Sequence, residues 1–325
     1  MDNPLVSIII PLYNAEKYIG ETITSALNQT WENKEIIIVD DGSTDNSLAI
    51  VKKFESQIVK VFTQKNTGAG TARNKGLTEA KGDFIQFLDA DDILSPDKIV
   101  SQLKELVGYN NYLGLCGTAY FNAGDDHTNA KVLREWFCAG SDDPFDFLIK
   151  LYSGHETIKG YGGMIQPNSW LTPMSVINKA GFWNEELTVD DDGEFFCRVI
   201  LASDGIKYSY KGINYYRKNT GCTSLSSGKS KKDFESIRRS TDLKMHYLKS
   251  RTNDRIVDKI FAAHYWWAGV QSYPQFRDLS AYFIKKAKAL HYTGQKYKAG
   301  PLSNVFAKVF GWRIMRVFSY IKHGF

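Results

Sequence analysis

The 325-residue chain carries 41 Lys and Arg against 36 Asp and Glu, a formal charge of +5, with 43% hydrophobic and 24% charged residues. That composition excludes disordered and fibrous classes, and the length suffices for about two domains with a buried core. The charge is unevenly placed: residues 1–220 hold 21 basic and 30 acidic side chains, net −9, and residues 221–325 hold 20 and 6, net +14. An acidic front and a basic rear imply two tasks. The first apolar run has no basic segment before it and no small-residue cleavage site after it, so a secretory signal is not expected. No stretch of 18 apolar residues could span a bilayer. Cys116, Cys138, Cys197 and Cys222 lie far apart, without a C-x-x-C pair, which fits unpaired thiols in a reducing, cytoplasmic setting.

In chain order, residues 5–10 form a β-branched run of the kind buried on both faces of a parallel sheet. Helical spacing follows over 15–27, a second buried strand over 35–39, a helix over 45–54 and a third strand over 58–63. A glycine-containing loop leads into a helix over 67–80, and a fourth strand covers 83–88. The next helix is predicted over 95–107, with Ser95 as N-cap and Pro96 at the first helical position. This alternation predicts βαβ units and a parallel α/β sheet. From 112 to 220 the pattern is mixed, with long loops of the kind that carry specificity. Residues 224–232 form the best linker, and helices are predicted near 233–250, 253–270, 277–290 and 302–322.

Three carboxylate clusters fall where strands or loops end, the edge at which open α/β sheets bind ligands. Asp40-Asp41 can accept hydrogen bonds from the edge of a nucleotide base, although Asp-Gly-Ser also makes an ordinary turn. In Asp89-Ala90-Asp91-Asp92, an extended chain would point Asp89 and Asp91 to one side, two hard oxygen donors suited to Mg²⁺ or Mn²⁺. A polar lead-in to the next helix is the competing explanation. Asp190-Asp191-Asp192 would sit at a helix start, either as a cap or as a general base. Gly68 to Asn74 has small residues followed by Arg73, a weak phosphate signal that tight helix–sheet packing would also explain.

The order of these pieces is specific. Val6 to Asn14, then Val39-Asp40-Asp41-Gly42-Ser43-Thr44-Asp45, then Asn66 with Ala72-Arg73-Asn74-Lys75-Gly76, then Phe87 to Asp92, resembles the family 2 glycosyltransferases, inverting enzymes of the GT-A fold. The resemblance covers about residues 4–220. It implies that Pro11, Tyr13 and Glu16 line the nucleotide pocket, that Asp41 binds the base with Asp40 beside it, and that Arg73 flanks the nucleotide. In the D-x-D motif Asp89-Ala90-Asp91, it makes Asp91 a Mn²⁺ or Mg²⁺ ligand and sets Asp89 near the ribose or donor sugar and as a second candidate ligand. Gly181-Phe182, Asn184-Glu185 and Asp191-Asp192-Gly193-Glu194 resemble a later family stretch in which Asp192 is the catalytic base, with Asp191 the neighbouring choice. Tyr216-Arg217 resembles the family's Y-R motif, but Asn219 stands where the family often has a metal- or diphosphate-contacting His. Thr223 and Ser224 are further diphosphate candidates. The implied partners are a nucleotide-sugar donor, expected to be a UDP-sugar, and a glycan or lipid-linked acceptor.

The division expected is a catalytic domain over 1–224 and a basic helical region over 225–325. The rear mixes Lys and Arg with aromatics, and its last helix carries Val305, Phe306, Val309, Phe310, Ile314 and Phe318 among Lys308, Arg313, Arg316 and Lys322. Such a helix can lie on an anionic membrane surface, pack on the catalytic domain or form a homo-oligomer contact. Peripheral placement on the inner membrane face is the expectation, and nucleic acid is not an expected partner. His264-Tyr265-Trp266-Trp267 reads as helical packing. The competing functions are a nucleotidyltransferase and a non-catalytic, membrane-associated nucleotide-sugar-binding protein.

Overall fold

The computed structural model describes residues 3–218 and 230–323. Strand β1 (Val6–Leu12) leads to α1 (Ile19–Leu27), β2 (Lys34–Asp40) to α2 (Ser47–Lys52), and β3 (Val59–Thr63) to α3 (Ala69–Glu79). Then come β4 (Phe84–Phe87), the short β5 (Ile93–Leu94) and α4 (Lys98–Glu105). The second half of the sheet region contains β6 (Tyr112–Asn122), α5 (Pro144–Thr157, interrupted at Gly154), β7 (Trp170–Pro173), α6 (Met174–Ala180), α7 (Asp191–Ala202) and β8 (Gly205–Lys218). The rear is helical: α8 (Lys231–Lys249), α9 (Arg255–Ser272), α10 (Arg277–Ala289), α11 (Pro301–Phe310) and α12 (Trp312–His323).

The eight strands run in the order β3-β2-β1-β4-β7-β6-β8-β5. The first four are mutually parallel, β7 is antiparallel to both neighbours, β6 and β8 are parallel, and β5 caps β8 antiparallel. The isoleucine runs explain the parallel half. Ile8 to Ile10 and Ile36 to Ile38 are buried without alternation, because helices cover both faces. The register pairs Leu12 with Asp40 and Ile9 with Phe87, so β1, β2 and β4 end at the same edge. The acidic turns after β2 and β4 therefore leave the sheet together.

Proximity along the backbone divides the chain into two compact units. The first comprises 1–148, 164–185 and 195–222 and holds the whole sheet; the second comprises 149–163, 186–194 and 223–325. The core of the second is built by α8, α9 and α10, with Phe261, Tyr265 and Phe283 fully buried. Trp266 is also buried and His264 is half-buried, in keeping with the packing reading of that aromatic run.

Several local expectations change. Residues 15–18 form a turn, closed by Ile19 N–H on Ala15 O, before α1 starts. Helix α4 begins at Lys98 with Asp97 at its N-cap, not at 95. Ser95 instead exchanges bonds with Ile213 of β8, through its own N–H and through its hydroxyl oxygen, which draws Ile93–Leu94 into the sheet as β5. The last helix is two, because Gly311 takes a φ of +82° between α11 and α12. The linker over 224–232 falls largely outside the described residues, as do Cys222, Asn219, Thr223 and Ser224. Cys116, Cys138 and Cys197 are free thiols.

Candidate active site

At the end of β2, Asp40 and Asp41 are both buried but differ in what they do. Asp41 accepts from Gln64 Nε2 (2.8 Å), Thr67 N–H (3.0 Å) and Gly68 N–H (2.8 Å), so its two oxygens anchor the loop that opens α3. Asp40 Oδ2 accepts from Ser43 N–H at 3.3 Å, while its Oδ1 is buried without a hydrogen-bond partner. A buried acceptor left open is rare, and an N–H-bearing ligand is one way to satisfy it. Pro11 and Tyr13 lie at and just beyond the end of β1, and the Tyr13 ring is half exposed. Glu16 has a local task as well. Its carboxylate accepts from Asn46 N–H (2.9 Å) and Asn46 Nδ2 (2.8 Å), joining the loops after β1 and β2.

The chain after β4 is a turn rather than an extended segment, closed by Asp92 N–H on Asp89 O at 3.1 Å. The alternation argument for Asp89 and Asp91 therefore does not apply; their placement comes from the turn. Asn168, fully buried, shapes it by accepting from Asp89 N–H (2.9 Å) and donating to Asp92 Oδ2 (2.6 Å). Arg217 N–H donates to Asp92 Oδ1 at 2.8 Å. Burial, and after it Asp91 and Asp89, pushes the Asp92 carboxyl well above the usual carboxylate range.

Arg73 pairs with Asp89 at 2.9 Å and lies 4.4 Å over the Trp183 ring, which stacks on Phe195. Beside it, Asn74 donates to Trp183 O and Glu185 Oε1 and accepts from Trp183 N–H. Two motifs about 110 residues apart in sequence thus meet at one place. The small residues of this helix serve packing too: a Cβ on Gly76 would lie 2.4 Å from Ile9 Cγ2.

Arg217 donates to Asp91 O (2.8 Å) and Glu21 (2.6 Å) between the rings of Tyr18 and Phe121. It is one of the residues lining a groove of about 750 Å³ along α1, whose lining includes neither Asp41 nor Asp89.

Asp89 and Asp91 offer hard carboxylate oxygens of the kind Mg²⁺ and Mn²⁺ take. Among the described residues no group of three or more His, Cys, Asp or Glu forms a metal cage. One or two carboxylates fit a cation that completes its shell with substrate phosphate and water. Asp89 is paired with Arg73 at 2.9 Å.

Asp191 and Asp192 belong to the second unit, in the first turn of α7, where the helix dipole favours negative charge. Asp190, just before them, has a φ of +61°. Sequence reasoning missed Gln64, Asn168 and the α8 side chains that hold Asp190. An amide or a serine inside an apolar stretch gives no periodic signal of its partner.

A twisted, mostly parallel sheet flanked by helices, with acidic turns at the carboxyl ends of β2 and β4, defines the GT-A class. The fold agrees with solved structures: Staphylococcus aureus TarS residues 1–349, in complex with UDP-GlcNAc, aligns with a TM-score of 0.69 at 20% identity, over 98% of this chain and 92% of that one. A sequence model of Glycosyl transferase family 2 matches residues 7–164. Glycosyltransferase GlyG of Streptococcus pneumoniae is 42% identical over 221 residues, 67% of this chain and 72% of GlyG. An uncharacterized glycosyltransferase of Haemophilus influenzae is 47% identical over 106 residues, 32% of this chain and 42% of that protein. The chain belongs to glycosyl transferase family 2. It spans less than half the length of several curated relatives it matches.

Proposed function

We propose that the chain is an inverting glycosyltransferase that moves a sugar from a UDP-sugar to a hydroxyl of a glycan or lipid-linked acceptor in bacterial surface-polysaccharide synthesis. The observation that carries this reading is the shared sheet edge. It presents Asp40 with an open buried oxygen, and the Arg73–Asp89 pair beside Asp91. The open Asp40 oxygen suits a base imide N–H, and Asp41 holds the loop around it. The Tyr13 ring is available to stack, and Arg73 offers charge to the nucleotide. The TarS complex with UDP-GlcNAc supports a UDP-sugar through likeness of fold.

The reaction is a single displacement. Asp192 takes the proton of the acceptor hydroxyl as its oxygen forms a bond to the anomeric carbon. The bond from that carbon to the diphosphate oxygen breaks, and its electron pair leaves with UDP from the opposite face, inverting the centre. Mn²⁺ or Mg²⁺, held by Asp91 with Asp89 beside it, would supply charge neutralisation of the diphosphate. Arg73 keeps Asp89 oriented, and Arg217 together with Asn168 fixes the turn that carries both acids.

Donor consumption across UDP-, GDP- and dTDP-sugars tests this. Turnover of a UDP-sugar is expected, lost on chelation and restored by Mn²⁺ or Mg²⁺. Turnover that survives thorough chelation removes the metal from the scheme. Pyrophosphate release from a nucleoside triphosphate would indicate nucleotidyl transfer, and tight UDP binding without turnover a binding protein.

The proposal extends to location: peripheral attachment to the cytoplasmic face of a membrane through α11 and α12. Val309, Phe310, Phe318 and Ile321 are among the most exposed apolar side chains of the chain. Beyond Asp278 the sequence has nine Lys and Arg and no Asp or Glu, complementary to anionic lipid. Helix α12 is fastened to α9 by Arg316, which donates to Val270 O and Gln271 O, and by Trp312 against Trp266. No helix among the described residues is long and apolar enough to cross a membrane.

A further inference from the structure

Within the second unit, one face of α8 is bonded to the segment that carries the acidic run. Ser236, Ser240, Lys244 and Tyr247 recur at helical spacing, and the first three are almost fully buried. The Ser236 hydroxyl accepts from Thr188 N–H (2.9 Å) and Val189 N–H (3.1 Å) and donates to Val189 O (2.8 Å). Ser240 donates to Asp190 O (3.0 Å) and Asp190 Oδ2 (2.6 Å), and Lys244 Nζ donates to the same carboxylate oxygen. Tyr247 OH donates to Glu194 Oε1 at 2.8 Å. Tyr152, whose ring lies 5.2 Å from Lys244 Nζ, donates its OH to Gly193 O at 3.0 Å, and the Tyr152 carbonyl is bonded to His264 at 2.8 Å.

Little of this serves α8 as a helix. Ser and Lys gain nothing in helix propensity from being buried, and the buried Lys244 ammonium must offset a desolvation cost. The bonds instead fix the backbone of 188–190 at every polar atom they reach. They hold Asp190 at a φ of +61°, a left-handed conformation that is strained for a residue with a Cβ. Asp190 O then accepts Glu194 N–H at 3.1 Å, which sets where the first turn of α7 begins. Gly193 is part of the same fit, since a Cβ there would lie 2.2 Å from Asp190 Oδ1. Asp191 and Asp192 are the two residues between these fixed points.

We propose that the polar face of α8 is a positioning element for catalysis: Ser236, Ser240 and Lys244, acting through Asp190, set the direction of the Asp192 carboxylate. The proposal rests on the reading of Asp192 as base. It gives the C-terminal helices a part in turnover that is separate from any role in location.

The test uses the full chain with the UDP-sugar it consumes, following turnover, donor KM, UDP binding by calorimetry and melting temperature. Ser240→Ala and Lys244→Met are expected to lower kcat by at least about tenfold, the scale of a slightly misplaced catalytic group, with donor KM and UDP affinity within about twofold of wild type. Lys244→Met alone removes the ammonium partner of the half-buried Asp190 carboxylate and is expected also to lower the melting temperature. The double variant Asp190→Asn/Lys244→Met removes both charges; it is expected to regain melting temperature without regaining kcat. A double variant that regains both, or a loss of kcat accompanied by an equal loss of UDP affinity, overturns the proposal. Asp192→Asn is run beside these. If it keeps wild-type turnover, the base reading itself fails and takes this proposal with it. If it is inactive while the α8 variants turn over at the wild-type rate, only the α8 proposal fails.

Discussion

The two units hold their hydrogen-bonded carboxylates in different ways. In the first, Asp41 is satisfied by two backbone N–H groups and an amide, and Asp92 by a backbone N–H and an amide. In the second, Asp190 is held by Ser240 and Lys244, and Asp242 by the hydroxyls of Tyr265 and Tyr282, with Lys286 at 3.6 Å. Neutral dipoles fix Asp41 without an ion pair, and burial pushes the Asp92 carboxyl toward its neutral form. Carboxylates held by ammonium and phenol are neutralised locally, and their value lies in geometry. At Asp41 and Asp92 the first unit therefore fixes its acids with backbone and amide groups, while at Asp190 and Asp242 the second uses ammonium groups and hydroxyls to fix shape.

The contrast can be broken most sharply at Asp192. Asp192→Asn is expected to lower turnover by about 10²–10⁴-fold, the range for a lost general base, while calorimetric UDP affinity stays near wild type. Loss of UDP binding in step would move Asp192 from the chemistry to the donor pocket. At Asp41, Asn presents an amide N–H₂ toward N–H donors, so Asp41→Asn should lower stability by about 1–3 kcal/mol in denaturant melts and weaken UDP binding through the 64–68 loop. An unchanged melt would mean the loop does not depend on that carboxylate.

Lys98 sharpens the same contrast from the other side, as a charge with no carboxylate partner. It is fully buried, donating to Gln86 and Gln102, and burial pushes its ammonium down from 10.5 to about 8. Between those values the unfolded chain binds more protons than the folded one, so this residue's contribution to stability rises with pH through that window. The melting temperature of wild type minus that of Lys98→Met should increase from pH 8 to 10.5; a flat difference would show that the folded ammonium titrates near its unfolded value, as a hydrated one does. The smallest effect on turnover is expected from Ile314→Ser/Phe318→Ser/Ile321→Ser. This triple variant should sediment less with vesicles rich in phosphatidylglycerol and keep its turnover of a soluble donor. Unchanged sedimentation would remove α12 from the membrane proposal.

The parallel half of the sheet was legible because its isoleucine runs and the D-D-G-S, A-R-N-K-G and D-A-D-D segments are local patterns. Backbone dipoles position the carboxylates there, and a backbone turn is written in consecutive residues. The extended geometry expected for Asp89 to Asp91 failed because Asn168, far along the chain, bends that segment into a turn. Ser95 was misread as a helix cap for a similar reason: its partner is Ile213. In the rear, helix existence was readable from periodicity, but the bonds from Ser240 and Lys244 to Asp190 join residues about 50 apart in sequence and leave no local pattern. The break at Gly311 was hidden inside a periodicity that continued across it.

Asn168 has a consequence for how this sequence can vary. Its amide is read in one sense only, oxygen toward the Asp89 N–H and nitrogen toward the Asp92 carboxylate. An aspartate at 168 would set two carboxylates against each other, a leucine would strand both partners, and a glutamine would not fit without moving β7. Positions 92 and 168 are thus locked as a pair, and drift at either one should be tolerated only when the other changes in the same lineage. Libraries aimed at a new donor sugar would gain by treating the two as a single site.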